Sequence, residues 1–263
     1  MRIPPYVVWK PPTGEEHSPD AFFDFIYSPM RKQDGESDEV WEVRRNQYLW
    51  STAVLVSRNI EATEINHRLL DDLLPDGPSY TFYSSNEVRN SEGYEHDWTE
   101  EYLAGVSDAG LPPHEIRLKV GAPIIAMRNI TKGVVNGTRM IVTWVDPSLK
   151  LIRAKILSES GTRPREVLIT LHRCTIQNGA FTHERTQLPI RLAYALTINK
   201  AQGLTLKRVG LFLDKDVFAH GQVYVGMSRC GDPDNLFVYG NLDANGELWV
   251  ANPVYREILP NYT

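Results

Sequence analysis

The C-terminal third of the chain alternates strand-like and helix-like segments, and this alternation restricts the possible folds more than any other feature. From Pro189 onward the sequence gives IRLAYAL as a strand, INKAQGLTL as a loop with a short helix, RVGLFL as a strand, HGQVYVGMSRC as a helix and NLFVYG as a strand. Strands that alternate with helices form parallel sheets, because each helix carries the chain back to the edge where the previous strand began. The sequence therefore predicts an α/β fold.

A further strand–helix pair occurs earlier in the chain. The apolar run TAVLVS (52–57) is typical of a buried strand, and after Asn59 the residues Ile65, Leu69 and Leu73 recur at helical spacing. The simplest assembly joins this pair to the C-terminal series in one parallel sheet.

Residues 115–177 change to a period of two. Five strand candidates, IRLKV, PIIAMRNI, RMIVTWV, LIRAKIL and REVLITLHRCTIQ, are separated by TKGVVNG, DPSLK and SESGTRP, which are rich in turn formers. Short strands with hairpin turns favour a small β-barrel or sandwich over a continued α/β sheet. We therefore expect an α/β domain formed by residues 49–114 and 178–263, with residues 115–177 inserted. Residues 1–48, rich in proline and charge, are expected to be a linker.

Charge is unevenly distributed along the chain. The net charge is −5, but residues 115–173 carry eleven Lys and Arg against four Asp and Glu, a net of +7. This segment is expected to hold single-stranded nucleic acid through Arg128, Lys132, Arg139 and Arg153, presented by its turns. The alternative is a basic face that only meets solvent.

Several classes of protein are disfavoured by composition. No apolar run approaches the ~20 residues that span a bilayer, and MRIPPYVVWK lacks the apolar core of a signal peptide. The two cysteines make neither a disulfide framework nor a zinc site. We expect an intracellular protein with no metal site of its own and no membrane partner.

Polar residues cluster where the predicted strand IRLAYAL ends. Ligands of parallel sheets bind at the carboxyl ends of the strands, and Thr197, Asn199 and Lys200 offer hydroxyl, amide and ammonium groups there to an anionic backbone. In the next predicted helix, Gln222 and Arg229 are seven residues apart and are expected to share a face. The alternative is a pair of surface helices whose cations are solvated.

These segments resemble a known family. AYALTINKAQGLTL followed by GQVYVGMSRC is similar to the last two helicase motifs of the PIF/RecD-like group of superfamily-one DNA helicases, near the Helitron helicases. VLVSRNIEATEINHRLL resembles the motif that opens the family's second RecA-like domain, and RIPPYVVW resembles the stretch that links its two RecA-like domains. LPPHEIRLKVGAPIIAMRNI and GVVNGTRMIV resemble the segment that leads into its inserted SH3-like β-barrel. The resemblance covers nearly the whole chain but only the C-terminal half of the family's motor, and the fold it implies is a RecA-like parallel sheet with an inserted SH3-like barrel.

The resemblance also implies roles for individual residues. The catalytic positions are Arg229, as an arginine finger, and Gln222. The residues implied at the nucleotide are Gly203, Thr205, Gln222 and Arg229. The residues implied at DNA are Ser57, Arg58, Asn59, Asn136, Gly137, Arg139, Thr197, Asn199, Lys200 and Gln202. The chain departs from the family pattern at Leu204, Gly226 and Met227, where Gln and an Ala-Leu pair are commoner.

Two elements of an ATPase are missing from the sequence. No Gly-Lys dipeptide occurs, so there is no P-loop, and no apolar strand ends in Asp-Glu to hold magnesium. ATP and Mg²⁺ are therefore expected only together with a P-loop-bearing RecA-like domain, from the same gene or a separate chain. We expect the C-terminal motor half of an ATP-dependent 5′-to-3′ DNA helicase, in the nucleus or another DNA-containing compartment. The alternative is a non-catalytic module that binds single-stranded nucleic acid.

Overall fold

The structure is a computed structural model that describes residues 1–89, 98–108, 110–159, 165–178 and 181–251. The helices are α1 (Pro19–Tyr27), α2 (Asp38–Ser51), α3 (Asn59–Leu73), α4 (Glu100–Gly105) and α5 (Gln222–Met227), with short 3-10 helices at Ser28–Met30 and Pro233–Asn235. The strands are β1 (Thr52–Val56), β2 (Tyr80–Tyr83), β3 (Ser85–Arg89), β4 (Glu115–Leu118), β5 (Pro123–Ala126), β6 (Arg139–Asp146), β7 (Leu151–Ile156), β8 (Glu166–Ile169), β9 (His172–Asn178), β10 (Phe181–Gln187), β11 (Ile190–Leu192), β12 (Ala195–Thr197), β13 (Arg208–Leu213) and β14 (Leu236–Gly240).

The chain divides into two compact units. Unit 1 comprises Met1–Leu69 and Tyr194–Thr263, and unit 2 comprises Leu70–Ala193. The predicted boundaries after residues 48, 114 and 177 therefore differ from the observed ones, and each unit is described separately below. Among the residues that the structure describes, no helix is both long and apolar enough to cross a membrane.

Unit 1 contains a four-stranded parallel sheet with the order β12-β1-β13-β14. Strand β1 pairs in parallel with β12 (Val54 opposite Ala195) and with β13 (Val54 opposite Gly210). Its five residues are all buried, as expected of a strand covered on both faces. The α/β fold with one parallel sheet, in which residues 52–74 join the C-terminal series, is thus confirmed.

The N-terminal residues belong to unit 1 and do not form the linker that the sequence suggested. The extended segment at its start lies against β14, where Trp9 N donates to Val238 O over 2.8 Å and Val238 N donates to Val7 O over 2.7 Å. Helix α1 is capped by Ser18 and buries Phe22 and Ile26. The composition was misleading because proline and charge flank these apolar anchors without preventing their burial.

Unit 2 is built from antiparallel strands. Its largest sheet has the order β11-β5-β6-β7-β8, and two smaller sheets have the orders β3-β10-β9 and β2-β4. Five strands were predicted between residues 115 and 177, and the last of them is two strands, β8 and β9. Strands β10 and β11, which the predicted boundaries assigned to the α/β domain, also lie in unit 2. An SH3-like barrel remains a prediction, and most of its SESGTRP turn, residues 160–164, lies outside the described residues.

Strand β10 turns a row of polar side chains inward. His183, Arg185 and Gln187 alternate along it and are at most 1% exposed. The Arg185 guanidinium donates to the carbonyls of Leu103, Ala104, Val106 and Pro112. Since the last carbonyls of a helix lack partners within the helix, this arginine ties the end of α4 to the sheet of unit 2.

Candidate functional site

Three loops leave the carboxyl edge of the parallel sheet side by side. They follow β12, β1 and β13, which are consecutive in the sheet. Neighbouring strands lie about 4.8 Å apart, so the three loops begin within about 10 Å of one another. Most of the sequence-predicted residues of unit 1 are on these loops.

The loop after β1 carries Ser57, Arg58 and Asn59. Ser57 is 2% exposed, and its Oγ donates to Glu61 Oε2 over 2.9 Å. The same carboxylate oxygen accepts from Arg58 N over 3.0 Å, which satisfies a free N–H group at the start of α3. The side chains of Arg58 and Asn59 are exposed. The side chains of Arg58 and Asn59 therefore lie on the surface, while Ser57 is buried and hydrogen-bonded inside unit 1.

The loop after β12 is a series of turns rather than the predicted loop and short helix. Thr197 O accepts from Lys200 N at 2.9 Å and from Ala201 N at 3.1 Å, and Ile198 N donates to Val56 O at 2.9 Å. Ile198 and Ala201 are fully buried, and they fix the turns against the sheet. The predicted residues on the outer side of the turns are Asn199, Lys200, Gln202, Gly203 and Thr205, of which Lys200 is half-buried and the others are exposed.

Gly203 marks the open side of these turns. Its φ is +82°, a conformation that L residues with side chains rarely adopt, and no atom lies within 4 Å of where a Cβ would stand. Another molecule can therefore approach the backbone here closely.

Gln222 lies inside unit 1 and not on an open face. Its side chain is 2% exposed, and Nε2 donates to Ser57 O over 3.1 Å. Its Oε1 accepts from Phe218 N at 3.2 Å and from Ala219 N at 3.4 Å. The amide thus connects the loop after β1 to the loop after β13.

The expectation that Gln222 and Arg229 share a helix face is wrong. Helix α5 ends at Met227, so Arg229 lies beyond it. Arg229 O accepts a hydrogen bond from Leu206 N, just before β13 begins. The residue after Leu206, Lys207, donates through its backbone N–H to Ser51 O, just before β1 begins. Gln222 is therefore at the carboxyl edge of the sheet, and Arg229 is near the amino edge.

The Arg229 guanidinium is half-buried and folded back on its own helix. Its Nε donates to Val225 O over 3.0 Å, one terminal nitrogen lies 3.4 Å from Leu204 O, and the other donates to Ser228 Oγ over 2.9 Å. The contact with Val225 O caps a carbonyl in the last turn of α5, a common use of arginine at a helix end, and the contact with Leu204 O reaches the loop after β12.

In unit 2, the three predicted DNA contacts differ in accessibility. Asn136 is exposed and its N–H donates to Asn129 Oδ1 over 3.0 Å, and Gly137 has φ +88°. Arg139 is 5% exposed and donates to Ala193 O over 2.9 Å. It lies on β6 and is not presented by a turn, so the expectation that Arg139 faces outward is wrong.

The other basic side chains predicted for this surface are exposed. Arg128 donates to Arg173 O over 2.9 Å, and the Arg153 guanidinium lies 5.0 Å from the ring centroid of Trp144. Lys132 is exposed as well. Of the four basic residues expected on this surface, Arg128, Lys132 and Arg153 are therefore exposed and Arg139 is not.

Sequence reasoning missed two residues at the carboxyl edge. Glu61 supplies the carboxylate that holds Ser57 and Arg58. Phe218 exposes 55% of its surface in the loop after β13. The available signal for Phe218 was an aromatic residue in a loop that follows a predicted parallel strand. In the part of the chain that is described, no cluster of His, Cys, Asp and Glu could hold a metal ion.

Comparison with known proteins gives consistent relatives. Residues 101–145 match the sequence model described as DNA helicase Pif1, 2B domain. The chain is 36% identical over 141 residues to the ATP-dependent DNA helicase PIF1 of Homo sapiens, covering 52% of this chain and 21% of that protein. It is 29% identical over 145 residues to the ATP-dependent DNA helicase Pif1 of Campylobacter jejuni, covering 52% of this chain and 32% of that protein.

Solved structures agree on the fold. The crystal structure of the Pif1 helicase from Candida albicans matches with a TM-score of 0.57 at 23% identity, covering 85% of this chain and 54% of that one. The chain thus spans between a fifth and a third of the length of these curated relatives. By sequence and by fold, the chain is similar to the C-terminal region of Pif1-like helicases.

Proposed function

We propose that this chain is the C-terminal motor part of an ATP-dependent 5′-to-3′ DNA helicase, and that the loops at the carboxyl edge of its parallel sheet contact single-stranded DNA. The curated relatives are named ATP-dependent DNA helicases. The observation that carries the proposal is the grouping of Arg58 with Asn199, Lys200 and Gln202 on neighbouring loops of one sheet edge. The site of action is then a DNA-containing compartment inside the cell, the nucleus in a eukaryote.

The chemistry of these side chains suits a phosphodiester backbone. Arg58 and Lys200 supply positive charge, and Asn199 and Gln202 supply amide donors of the kind that hydrogen-bond phosphate and sugar oxygens. Gly203 leaves room for the strand to reach main-chain N–H groups. Thr197 and Ser57 are buried, so their share in the site is to shape the loops.

Lys200→Ala tests this DNA contact. Loss of one phosphate contact reduces the slope of log affinity against log salt by about 0.7 for a single strand, so we expect weaker binding and a shallower slope. The measurement is fluorescence anisotropy with labelled oligothymidylate over a salt series. Lys207→Ala is the matched control, because Lys207 is next to the amino end of β1. Equal affinity and slope for Lys200→Ala and the unmodified chain would contradict the proposal.

The nucleotide part of the proposal concerns Arg229. ATP and Mg²⁺ are held by a P-loop-bearing RecA-like domain, from the same gene or a separate chain, and Arg229 approaches the γ-phosphoryl group from this chain. Gly203 and Thr205, both exposed, are the other residues proposed near the phosphates of the nucleotide. To reach the γ-phosphoryl group, the Arg229 guanidinium must give up its hydrogen bonds to the carbonyls of Val225 and Leu204. It exchanges them for hydrogen bonds to phosphate, which costs little in net free energy.

A non-catalytic module for single-stranded nucleic acid is the second candidate. One observation favours it: the Arg229 guanidinium hydrogen-bonds to Val225 O and to Ser228 Oγ at the end of α5, a structural use of arginine that needs no nucleotide. ATP hydrolysis by a reconstituted two-domain motor separates the two candidates, since a pure binding module does not support turnover with any P-loop domain.

A further inference from the structure

The loop between β13 and α5 exposes an aromatic side chain at the same sheet edge as the proposed DNA contacts. Phe218 is 55% exposed, whereas its neighbour Val217 is 3% exposed. The loop thus buries one apolar residue as an anchor and leaves the larger one in solvent. The phenyl ring therefore contributes little to the packing of unit 1 and is accessible to a ligand at this edge of the sheet.

The backbone of Phe218 is fixed by a buried amide. Phe218 N donates to Gln222 Oε1 over 3.2 Å, and Gln222 Nε2 donates to Ser57 O over 3.1 Å. Gly221, with φ +66°, makes the left-handed turn that lets the loop enter α5. Two hydrogen bonds therefore connect the aromatic residue to the residue that immediately precedes Arg58.

The surroundings of this loop identify the class of ligand. On the loops after β1 and β12, the cations Arg58 and Lys200 suit phosphates, and neither loop (residues 57–58 and 198–207) contains an aromatic residue. Binding of single strands commonly combines a cationic track with aromatic rings on which bases stack, and such stacking tolerates any sequence because every base has a flat face.

We propose that Phe218 stacks on a nucleobase of the bound single strand and that Gln222 is the positioning residue that holds its loop. This inference rests on the proposed function, since it adds a base contact to the same site. It also gives the buried Gln222 a role in place of direct contact with the nucleotide.

Phe218→Ala tests the stacking contact. Loss of one base–aromatic stack corresponds to a loss of about 5- to 150-fold in affinity. We expect this loss on oligothymidylate and no loss on an oligonucleotide of the same length made of abasic sites. The salt slope should not change, because no phosphate contact is removed. Phe218→Tyr should keep the affinity, and Phe218→Leu, which is apolar without a ring face, should not.

Tyr224→Ala is the matched control. Tyr224 lies on α5 and is 74% exposed, more than Phe218, so the substitution removes an accessible ring from the same region without changing the loop. We expect oligothymidylate affinity to stay within twofold of the unmodified chain. If Tyr224→Ala and Phe218→Ala weaken binding equally, the contact is a non-specific apolar one and the inference is wrong.

Gln222→Ala tests the positioning role by a double-mutant cycle. If Gln222 acts through Phe218, the double variant loses no more oligothymidylate affinity than Phe218→Ala alone, and Gln222→Ala has no effect on the abasic strand. A purely structural role for Gln222 would instead weaken both oligonucleotides together. If Gln222→Ala does not fold, the Phe218 series still decides the stacking contact.

The outcomes distinguish failure of this inference from failure of the proposed function. If the unmodified chain does not bind oligothymidylate, the proposed function fails. If it binds and Lys200→Ala weakens it while Phe218→Ala does not, only the stacking inference fails. Loss of association with a P-loop-bearing domain in Phe218→Ala, with DNA affinity retained, would show a protein contact and overturn the inference.

Discussion

At the scale of single residues, two glycines mark where helices touch the parallel sheet of unit 1. A Cβ at Gly210 would lie 3.0 Å from both Ile26 Cγ1 and Phe22 Cζ, on the face that α1 covers. A Cβ at Gly226 would lie 3.0 Å from Leu211 Cδ1, on the opposite face. The second glycine stands at a departure from the family pattern, where alanine is commoner: here the helix packs so closely that the ends of Leu211 and Ile198 must shift slightly to admit an alanine.

Gly210→Ala is expected to destabilise unit 1 by about 1–3 kcal/mol, the usual cost of adding atoms to a packed core. The Phe22 ring cannot easily give way, because the rings of Trp9, Phe212 and Tyr239 lie within 6.3 Å of it, centroid to centroid. Gly226→Ala is the control: it meets the mobile end of a leucine and gains about 1 kcal/mol of helix propensity, so its net effect is smaller. Urea midpoints measure both, and an unchanged midpoint for Gly210→Ala would contradict the packing argument.

At the scale of elements, strand β10 of unit 2 combines burial with polar groups. Asn86 Oδ1 accepts from Arg185 Nε over 2.8 Å and lies 3.0 Å from His183 Nε2. The ring must therefore carry its proton on Nε2 when neutral, and a second proton would add a cation beside the buried guanidinium. Burial, and then the charge of Arg185, lower the pKa of His183 below its usual value.

This shift predicts how the stability of unit 2 depends on pH. Because the pKa is lower in the folded state, the unfolded chain binds more protons as the pH falls below about 6.5, and the free energy of unfolding decreases there. Above that pH the effect is absent. We expect the urea midpoint to fall between pH 7.5 and 5.5, and His183→Gln to reduce the fall. His172→Gln, at a half-exposed position, is the control. An equal fall of the urea midpoint in the unmodified chain, His183→Gln and His172→Gln would contradict the assignment of the pH dependence to His183.

The elements also show what the sequence could predict. Strand β1 and the positions of the loops after β1 and β12 were predictable, because apolar runs and motif residues lie next to each other in the chain, although the short helix expected after β12 is a series of turns. The run IRLAYAL was read as one strand, but Ile190–Leu192 pairs with β5 in unit 2 and Ala195–Thr197 pairs with β1 in unit 1. The burial of Gln222 and Arg139 was not predictable, since their partners, Ser57 and Ala193, are 165 and 54 residues away.

At the scale of the whole molecule, the proposed function places DNA binding at one end of the short helix α5 and nucleotide hydrolysis at the other. Gln222, at the start of α5, serves the edge with the proposed DNA contacts, and Arg229 lies beyond its end, near the amino edge of the sheet. A change at one end of α5 need not disturb the other. Loss of the arginine should therefore affect nucleotide turnover and DNA affinity to very different extents.

Arg229→Ala in a motor reconstituted with a P-loop-bearing RecA-like domain, fused or supplied separately, measures that separation. Removal of an arginine finger lowers turnover by about 10³- to 10⁵-fold, or about 4–7 kcal/mol of activation free energy. We expect this loss in DNA-stimulated ATP hydrolysis, with oligothymidylate affinity within a few-fold of the unmodified motor. Arg229→Lys should recover little, because an ammonium lacks the planar fork of donors. Near-normal turnover in Arg229→Ala would leave the arginine with a structural role only: its hydrogen bond to Val225 O caps the last turn of α5, and its contact with Leu204 O holds the loop after β12.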